Sequence, residues 1–273
     1  MAIIAVTQQL GSRGIELGRL AATQLGYRFM SSEDVIAETS HRYAVTPEQL
    51  VVVDERQPHF WSRLKTESVR FISFFRATLL REMALDDLVV VGRSAGVILP
   101  PLGCGLRVRT VGPFDDRVKR VCEDEKLALV AGQRRVRDYD REVRARIQTL
   151  LNVDIEDPAA FDLVINGYGA PLDLLARMLA DTALQIDARV TPEQWQHMRD
   201  TAVAAQVRAA CHSHPKLGLA PIDVQCDLGT VRVKGPGLVP PWDALALSVA
   251  RQVEGVNAVE VEADEPAMPV RPD

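Results

Sequence analysis

The feature that most constrains the fold is a short apolar run near the start of the chain, followed at once by a glycine-containing turn and a helical pattern. Residues 2–6 read AIIAV, which is typical of a strand buried on both faces in a parallel sheet. Gly11 and Gly14 lie in the turn, and apolar residues then recur at helical spacing up to Leu25, where Gly26 ends the helix. This order predicts a strand–turn–helix unit.

Further strand-like runs alternate with helical patterns over the following part of the chain. They cover roughly residues 27–30, 88–91, 107–111 and 161–165. Strands that alternate with helices predict a parallel sheet with helices on both faces. The predicted fold class is therefore α/β, with a first domain at residues 1–186.

A second, smaller α+β domain is predicted at residues 195–263, after a linker at 187–194. The segments IDVQCD and TVRVK alternate apolar and polar residues on either side of Gly229, which predicts a hairpin. A helix and then a strand at 257–262 complete this domain. The proline-containing tail, residues 264–273, is predicted to be disordered.

Composition and charge limit the classes of function. The net charge of −5 gives no general attraction for nucleic acid or anionic membranes, so no nucleic-acid partner is expected. Neither a membrane span nor a signal peptide is recognisable, which predicts a cytoplasmic location. Cys104, Cys122, Cys211 and Cys226 are widely separated, which favours buried free thiols over a zinc or redox site.

The turn at residues 10–14 (LGSRG) stands where a phosphate-binding loop would lie. Its glycines allow backbone N–H groups to converge on an anion, and the N-terminus of the next helix adds positive potential. Ser12 can add a hydroxyl donor. The strict GxxxxGK[ST] pattern is not met, so on this segment alone a plain connection between strand and helix is an equal alternative.

Two other segments carry arginines where an anion would need them. Arg93 follows the strand at 88–91, and ligands in open α/β sheets bind beyond the carboxyl ends of strands, so Arg93 can bind a phosphate with two N–H groups. The alternative is a solvated loop arginine.

Residues 133–146 hold several arginines that a mobile lid would bring to a phosphoryl group. The alternative, an exposed helix with ion pairs, applies to most of them.

Taken together, residues 1–184 resemble the cytidylate-kinase-like family of P-loop kinases. The resemblance rests on five segments in the same order: IIAVTQQLGSRGIELGRLAATQLGY, LVVVGRSAGVILPPL, RVRTVGPFDDRVKRV, DYDREVRARI and DPAAFDLVINGYG. It implies a P-loop kinase-type parallel sheet. It also implies ATP-dependent phosphorylation of a pyrimidine nucleoside monophosphate, CMP or dCMP first, with Mg²⁺.

The resemblance also assigns roles to individual residues. Four loop residues would bind the ATP phosphates: Gly11, Ser12, Arg13 and Gly14. Three arginines, of the loop and of the lid, would act in catalysis: Arg13, Arg137 and Arg141. Arg93 would bind the phosphate of the acceptor nucleotide, and Arg117 would line the same cleft.

The chain departs from the family pattern at three positions. Ile15 stands where P-loop kinases carry a basic residue, and Arg13 would have to replace that cation from another point of the loop. Glu16 follows instead of a serine or threonine, and Ser94 replaces the acidic residue that often follows Gly-Arg. Two hypotheses therefore stay open, an active kinase and a catalytically impaired nucleotide-binding regulator.

Residues 195–263 resemble a BON domain, a small binding module, through IDVQCDLGTVRVKG and VARQVEGVNAVEVE. The resemblance implies a regulatory or interaction role, with a protein partner or a second copy of the chain. A scaffold role based on this module alone is a third hypothesis. His197, His212 and His214 are expected to be surface histidines rather than metal ligands, since no fourth ligand has a suitable spacing.

Overall fold

The computed structural model describes residues 2–54, 61–85, 87–92, 94–218 and 221–263, without the side chains of 51–54 and 61–68. Arg93 and the tail at 264–273 lie outside the described residues. The larger part of the molecule contains β1 (Ile3–Gln8), α1 (Gly14–Leu25), β2 (Arg28–Ser31), α2 (Ser32–Tyr43), α3 (Pro47–Asp54), α4 (Trp61–Leu85), β3 (Leu88–Gly92), α5 (Ala95–Ile98), β4 (Gly105–Val111), α6 (Phe114–Glu125), α7 (Leu129–Leu151), β5 (Leu163–Asn166) and α8 (Leu172–Asp187).

The five strands form one parallel sheet of order β2-β3-β1-β4-β5, as the alternation of strands and helices predicts. Strand β1 is central, and its apolar residues are buried on both faces: Ile3 and Ala5 pack towards α4 and α5, whereas Ile4 and Val6 pack towards α1 and α8. The carboxyl ends of all five strands therefore lie at one edge of the sheet, and the loop after β1 lies at the same edge.

The C-terminal part consists of α9 (Pro192–Ser213), β6 (Asp223–Asp227), β7 (Thr230–Gly235), α10 (Trp242–Ala250) and β8 (Ala258–Ala263). The hairpin β6–β7 is confirmed, and β8 joins β7 in parallel, which gives the order β6-β7-β8. The chain between α8 and α9 is shorter than the predicted linker. A capping box between Thr191 and Gln194 starts α9 at Pro192.

Helix α9 belongs to two cores at once. Trp195 and Met198 lie in the same buried cluster as Ile3 and Leu88 of the large sheet. Further along the helix, Val207 packs under the small sheet. The division of the chain at residues 187–194 into independent domains stays a prediction, because α9 contributes to the packing of both parts.

The expectation that His212 is a surface histidine is wrong. His212 is 5% exposed, and its Nδ1 lies 2.7 Å from the Oγ of Ser73 on α4. The reason is the packing of α4 against α9, which covers the face of α9 that carries this histidine.

The four cysteines are free thiols; the expected burial holds for Cys104 and Cys211, whereas Cys122 and Cys226 are partly exposed. Burial raises the pKa of the Cys211 thiol to about 11. Among the helices that the structure describes, none is long and apolar enough to cross a bilayer.

Candidate functional site

The loop between β1 and α1 has a shape that only glycine permits at two positions. Gly11 has a φ of +75°, and a Cβ atom there would lie 2.7 Å from the carbonyl oxygen of Arg117. A Cβ atom at Gly14 would lie 2.6 Å from both the Gln8 Oε1 and the Thr110 Oγ1 atoms. The loop is therefore packed tightly against the first turn of α6 at Gly11 and against the carboxyl end of β4 at Gly14.

The amides that open α1 are unpaired within the described part of the chain. Arg13 caps the helix in a left-handed conformation with a φ of +66°, and the first helical hydrogen bond runs from the Leu17 amide to the Arg13 carbonyl. Within the described part of the chain, the backbone N–H groups of residues 13–16 have no hydrogen-bond partner. Free amides at a helix N-terminus favour an anion through the helix dipole, so this loop is a candidate anion-binding site.

The hydroxyl of Ser12 does not face this anion site. Ser12 is fully buried, and its Oγ lies 2.8 Å from the Gln9 carbonyl oxygen and 2.9 Å from the Thr110 Oγ1. These contacts fix the loop to β4. Ser12 therefore holds the conformation of the loop, a role that the sequence did not indicate.

Residues just after β5 hold the loop from the other side. The Tyr168 hydroxyl donates to the Gly11 carbonyl at 2.7 Å, and burial raises the pKa of Tyr168. The Arg13 guanidinium donates to the Gly167 carbonyl at 3.3 Å and lies 5.7 Å from the centre of the Tyr168 ring. Arg13 is therefore directed towards β5. The contribution of Tyr168 was missed from the sequence, where its only signal is its place in the segment NGYG.

Arg117 lies directly against the loop. It is 4% exposed and donates to the Leu10 carbonyl at 3.2 Å and to the Gly112 carbonyl at 3.1 Å. Its two terminal nitrogens also donate to the two carboxylate oxygens of Asp140 on α7, at 3.2 and 2.8 Å. The structure places Arg117 beside the loop. That Arg117 lines the acceptor cleft together with Arg93 stays a prediction, because Arg93 lies outside the described residues.

A second buried arginine, Arg109 of β4, was missed by the sequence analysis. Arg109 is 4% exposed, and its Nη2 donates to the Glu156 Oε1 at 2.5 Å. Burial lowers the pKa of Arg109, and the nearby carboxylate of Glu156 opposes that shift. Arg109 and Glu156 line a small cavity together with Gln8, Gln9 and Asp140. The available signal was an arginine at an inward-facing position of a strand.

The predicted lid arginines lie on the outer surface of α7. The Arg137 guanidinium lies 5.0 Å from the centre of the Phe114 ring, and Arg141 donates to Asp138 at 2.7 Å. Both side chains are exposed, and within the described chain neither of them contacts the loop. Arg93, the predicted acceptor-binding residue, lies outside the described residues. The structure therefore does not bring Arg137 or Arg141 to the loop.

A crevice lies beyond the carboxyl ends of β2 and β3, on the side where an acceptor is expected. Its polar lining consists of Ser32, Ser94 and Arg146, and the rest is apolar, including Phe75 of α4. Ser94 is thus at the edge of this crevice, next to the position of Arg93.

Oxygen ligands for a metal ion are not free at the loop. Glu16 forms an ion pair with Arg120, and Ser12 is turned into the sheet. Ile15 packs against the core under α8. Among the described residues, no three His, Cys, Asp or Glu side chains lie together as a metal-binding group would. The described loop thus offers unpaired backbone amides to an anion, while its Ser12 hydroxyl and the Glu16 carboxylate are engaged with protein partners.

The sheet order and the amide-bearing loop after the central strand define the class of the protein, an α/β P-loop-type kinase fold. The model of the cytidylate kinase-like family matches residues 3–167, which is more than half of the chain. The chain belongs to the cytidylate kinase-like family. The predicted family and fold class are confirmed, while the BON-like nature of the C-terminal part stays a prediction.

Individual relatives are distant. A cytidylate kinase from Thermococcus kodakarensis is 22% identical over 165 residues, which are 60% of this chain and 78% of that protein. An uncharacterized protein from Eubacterium ventriosum has a TM-score of 0.49 at 19% identity and covers 69% of this chain and 100% of its own. A shikimate kinase from Bacteroides thetaiotaomicron has a TM-score of 0.44 at 13% identity, with 66% and 97% covered. Both of these structural likenesses concern the fold alone.

Proposed function

We propose that this protein is an ATP-dependent kinase that phosphorylates a pyrimidine nucleoside monophosphate, with CMP or dCMP as the acceptor. The observation that carries the proposal is the run of free backbone amides at residues 13–16, at the start of the helix that follows the central strand of a kinase fold. Such amides bind the phosphates of a nucleotide with preorganised dipoles. Membership of the cytidylate kinase-like family supports the choice of acceptor.

In this proposal, each residue acts by positioning and charge. The loop backbone at Gly11, Arg13 and Gly14 binds the ATP phosphates, whereas the Ser12 amide donates to the Gln9 carbonyl at 3.1 Å and shapes the loop. Arg93 binds the phosphate of the acceptor nucleotide. The acceptor phosphate oxygen attacks the γ-phosphorus, the bond to the ADP oxygen breaks, and ADP leaves. Lid arginines on α7 approach the transferred group from the exposed face of that helix.

Magnesium ordinarily supplies charge neutralisation on the phosphates in such reactions. The described oxygen groups at the loop are engaged with protein partners, because Glu16 is paired with Arg120 and Ser12 is turned into the sheet. No step of the proposed reaction is therefore assigned to a protein-bound metal ion. The nucleotide itself and water would have to carry any magnesium.

The test is phosphate transfer from ATP to CMP by the purified full-length chain, with dCMP and UMP in parallel. The wild type is expected to form CDP, and Arg93→Ala is expected to lower the rate by about tenfold or more, the effect of losing a charge-assisted hydrogen bond. Arg177→Ala, an exposed change on α8, is the matched control and should leave the rate unchanged. Binding of neither ATP nor CMP would contradict the proposal.

A second candidate function is a nucleotide-binding regulator without catalysis. The observations that favour it are Ile15, which places a packed apolar side chain where the loop cation is expected, and the ion pair of Glu16 with Arg120. In that case the C-terminal part, with its BON-like pattern, would transmit the bound state to a protein partner or a second copy. Binding of ATP or CMP without any transfer would favour this candidate over the kinase.

A further inference from the structure

Two arginines beside the loop are buried, and each is held by a carboxylate from the α7 segment. Arg117 pairs with Asp140 of α7, and Arg109 pairs with Glu156, which follows α7. The exposures of the partners are unequal, because the Arg109 side chain is 5% exposed whereas the Glu156 side chain is 47% exposed. The carboxylate can move into water, but the guanidinium is fixed in the sheet.

The two arginines differ in how fully their donors are used. Arg117 binds the Leu10 and Gly112 carbonyls in addition to Asp140, so it is part of the loop structure. Arg109 makes a single hydrogen bond among the described residues, to Glu156, although a guanidinium has five N–H donors. Arg109 lines a cavity of about 10 Å³ with Gln8, the last residue of β1, and with Gln9. This space holds about one water molecule, and Glu156 also lines it, so a larger ligand reaches the remaining donors only when that carboxylate moves away.

The loop itself needs a cation that its sequence does not supply. Position 15 is an isoleucine, and the Arg13 side chain is directed towards Gly167 and Tyr168. A polyphosphate on the loop amides carries several negative charges, which backbone dipoles alone neutralise only in part.

We propose that Arg109 is a phosphate-binding residue of this site, and that Glu156 is a placeholder whose carboxylate leaves Arg109 when a polyphosphate binds beside Gln8 and Gln9. The proposal rests on the proposed binding of nucleotide at the loop and adds to it the source of the cation. The exchange favours binding for two reasons. The half-exposed Glu156 carboxylate returns to water, and a more highly charged phosphate group takes its place on the buried guanidinium of Arg109.

The experiment is titration calorimetry of the full-length chain with inorganic tripolyphosphate. Glu156→Gln removes the competing charge and is expected to bind roughly two- to fivefold more tightly, as the loss of a partly exposed ion pair allows. Arg109→Gln is expected to bind about tenfold more weakly or worse. Asp181→Asn is the matched control, since Asp181 is exposed on α8, and it should not change the affinity.

The double variant Arg109→Gln/Glu156→Gln separates binding from folding. If Arg109 serves stability alone, the double variant recovers the thermal stability that Arg109→Gln loses and binds tripolyphosphate like the wild type, which overturns the proposal. The expected result is recovered stability with affinity still weak. If Arg109→Gln does not fold, Glu156→Gln decides the matter by itself, and unchanged or weaker binding by that variant overturns the proposal.

The outcome is separable from that of the proposed function. If the chain transfers phosphate from ATP to CMP, but Arg109→Gln does not change the affinity for tripolyphosphate, this inference is overturned. The kinase proposal then stands. Affinity that depends on Arg109, with no transfer to any nucleotide, supports this inference and contradicts the kinase proposal. Absence of any tripolyphosphate binding by the wild type also overturns the inference.

Discussion

At the scale of single residues, the loop after β1 depends on space as well as on backbone conformation. Gly11 and Gly26 both have a positive φ, of +75° and +69°. A Cβ atom at Gly11 would meet the Arg117 carbonyl at 2.7 Å, whereas nothing lies within 4 Å of one at Gly26. The two glycines therefore separate the cost of a left-handed backbone from the cost of a clash with a fixed backbone atom.

We predict that Gly11→Ala destabilises the protein by more than about 2 kcal/mol, because strain and a backbone clash add together. Gly26→Ala, the control, should cost about 1 kcal/mol, since it suffers only the left-handed strain. Urea unfolding followed by circular dichroism measures both. Equal losses would show that the loop moves away from Arg117 without cost and that its shape is not fixed.

At the scale of elements, β4 and β5 are joined by a carboxylate at the start of β5. Asp162 accepts hydrogen bonds from the Arg107 amide at 2.8 Å and from its guanidinium at 2.6 and 3.2 Å. Burial raises the pKa of Asp162, but the hydrogen bonds and charge of Arg107 outweigh burial and hold this pKa below its usual value. This pair fixes the edge strand β5, and with it the loop that carries Tyr168.

This pair predicts a pH dependence. A carboxyl group whose pKa is lower in the folded state stabilises the fold above its unfolded pKa of about 4 and loses that contribution as the pH falls through the folded value. Asp162→Asn should therefore unfold more easily than the wild type near pH 7, and the difference should shrink below about pH 4. Unfolding midpoints in urea between pH 3 and pH 7, roughly the range set by these pKa values, are the measurement.

Asp181→Asn, an exposed change on α8, serves as the control and should follow the wild type at every pH. A constant difference between wild type and Asp162→Asn across the whole range would contradict the role given to the Arg107–Asp162 pair.

At the scale of the whole molecule, the C-terminal part is built into the kinase fold through α9. Met198 is fully buried in the cluster that contains Ile3 and Leu88 of the central strands. The same helix carries Val207 under the small sheet. The side of α4 that bears Ser73 contacts His212 of α9, while Phe75 of α4 lines the crevice on the expected acceptor side. One helix thus lies between the C-terminal part and that crevice.

We predict that Met198→Ala lowers the free energy of unfolding by about 2–5 kcal/mol, as a large-to-small change in a core does. The loss should appear in the large sheet, as faster hydrogen exchange of the β1 and β3 amides. Met178→Ala on α8, where the methionine is 42% exposed, is the control and should cost less than about 0.5 kcal/mol. Faster exchange confined to β6, β7 and β8 would contradict a shared core.

Most of the fold was predictable because its signals are local. The strand at 2–6 and the hairpin around Gly229 follow from the spacing of apolar residues and from turn chemistry, and the structure confirms both. The loop position followed in the same way. The partners of the loop did not, because Tyr168 comes from a segment that is remote in sequence, and its hydroxyl gives no pattern that reveals which carbonyl it will meet.

The sequence by itself determined the alternation of strands and helices, the place of the glycine loop and the family, since periodicity, glycine conformation and segment order are written along the chain. Only the tertiary structure decided how charge is arranged at the loop. Arg109 meets Glu156 across 47 positions and Arg117 meets Asp140 across 23, and such pairs form because separate elements converge at one sheet edge. The buried place of His212 was decided in the same way, by the packing of α4 on α9.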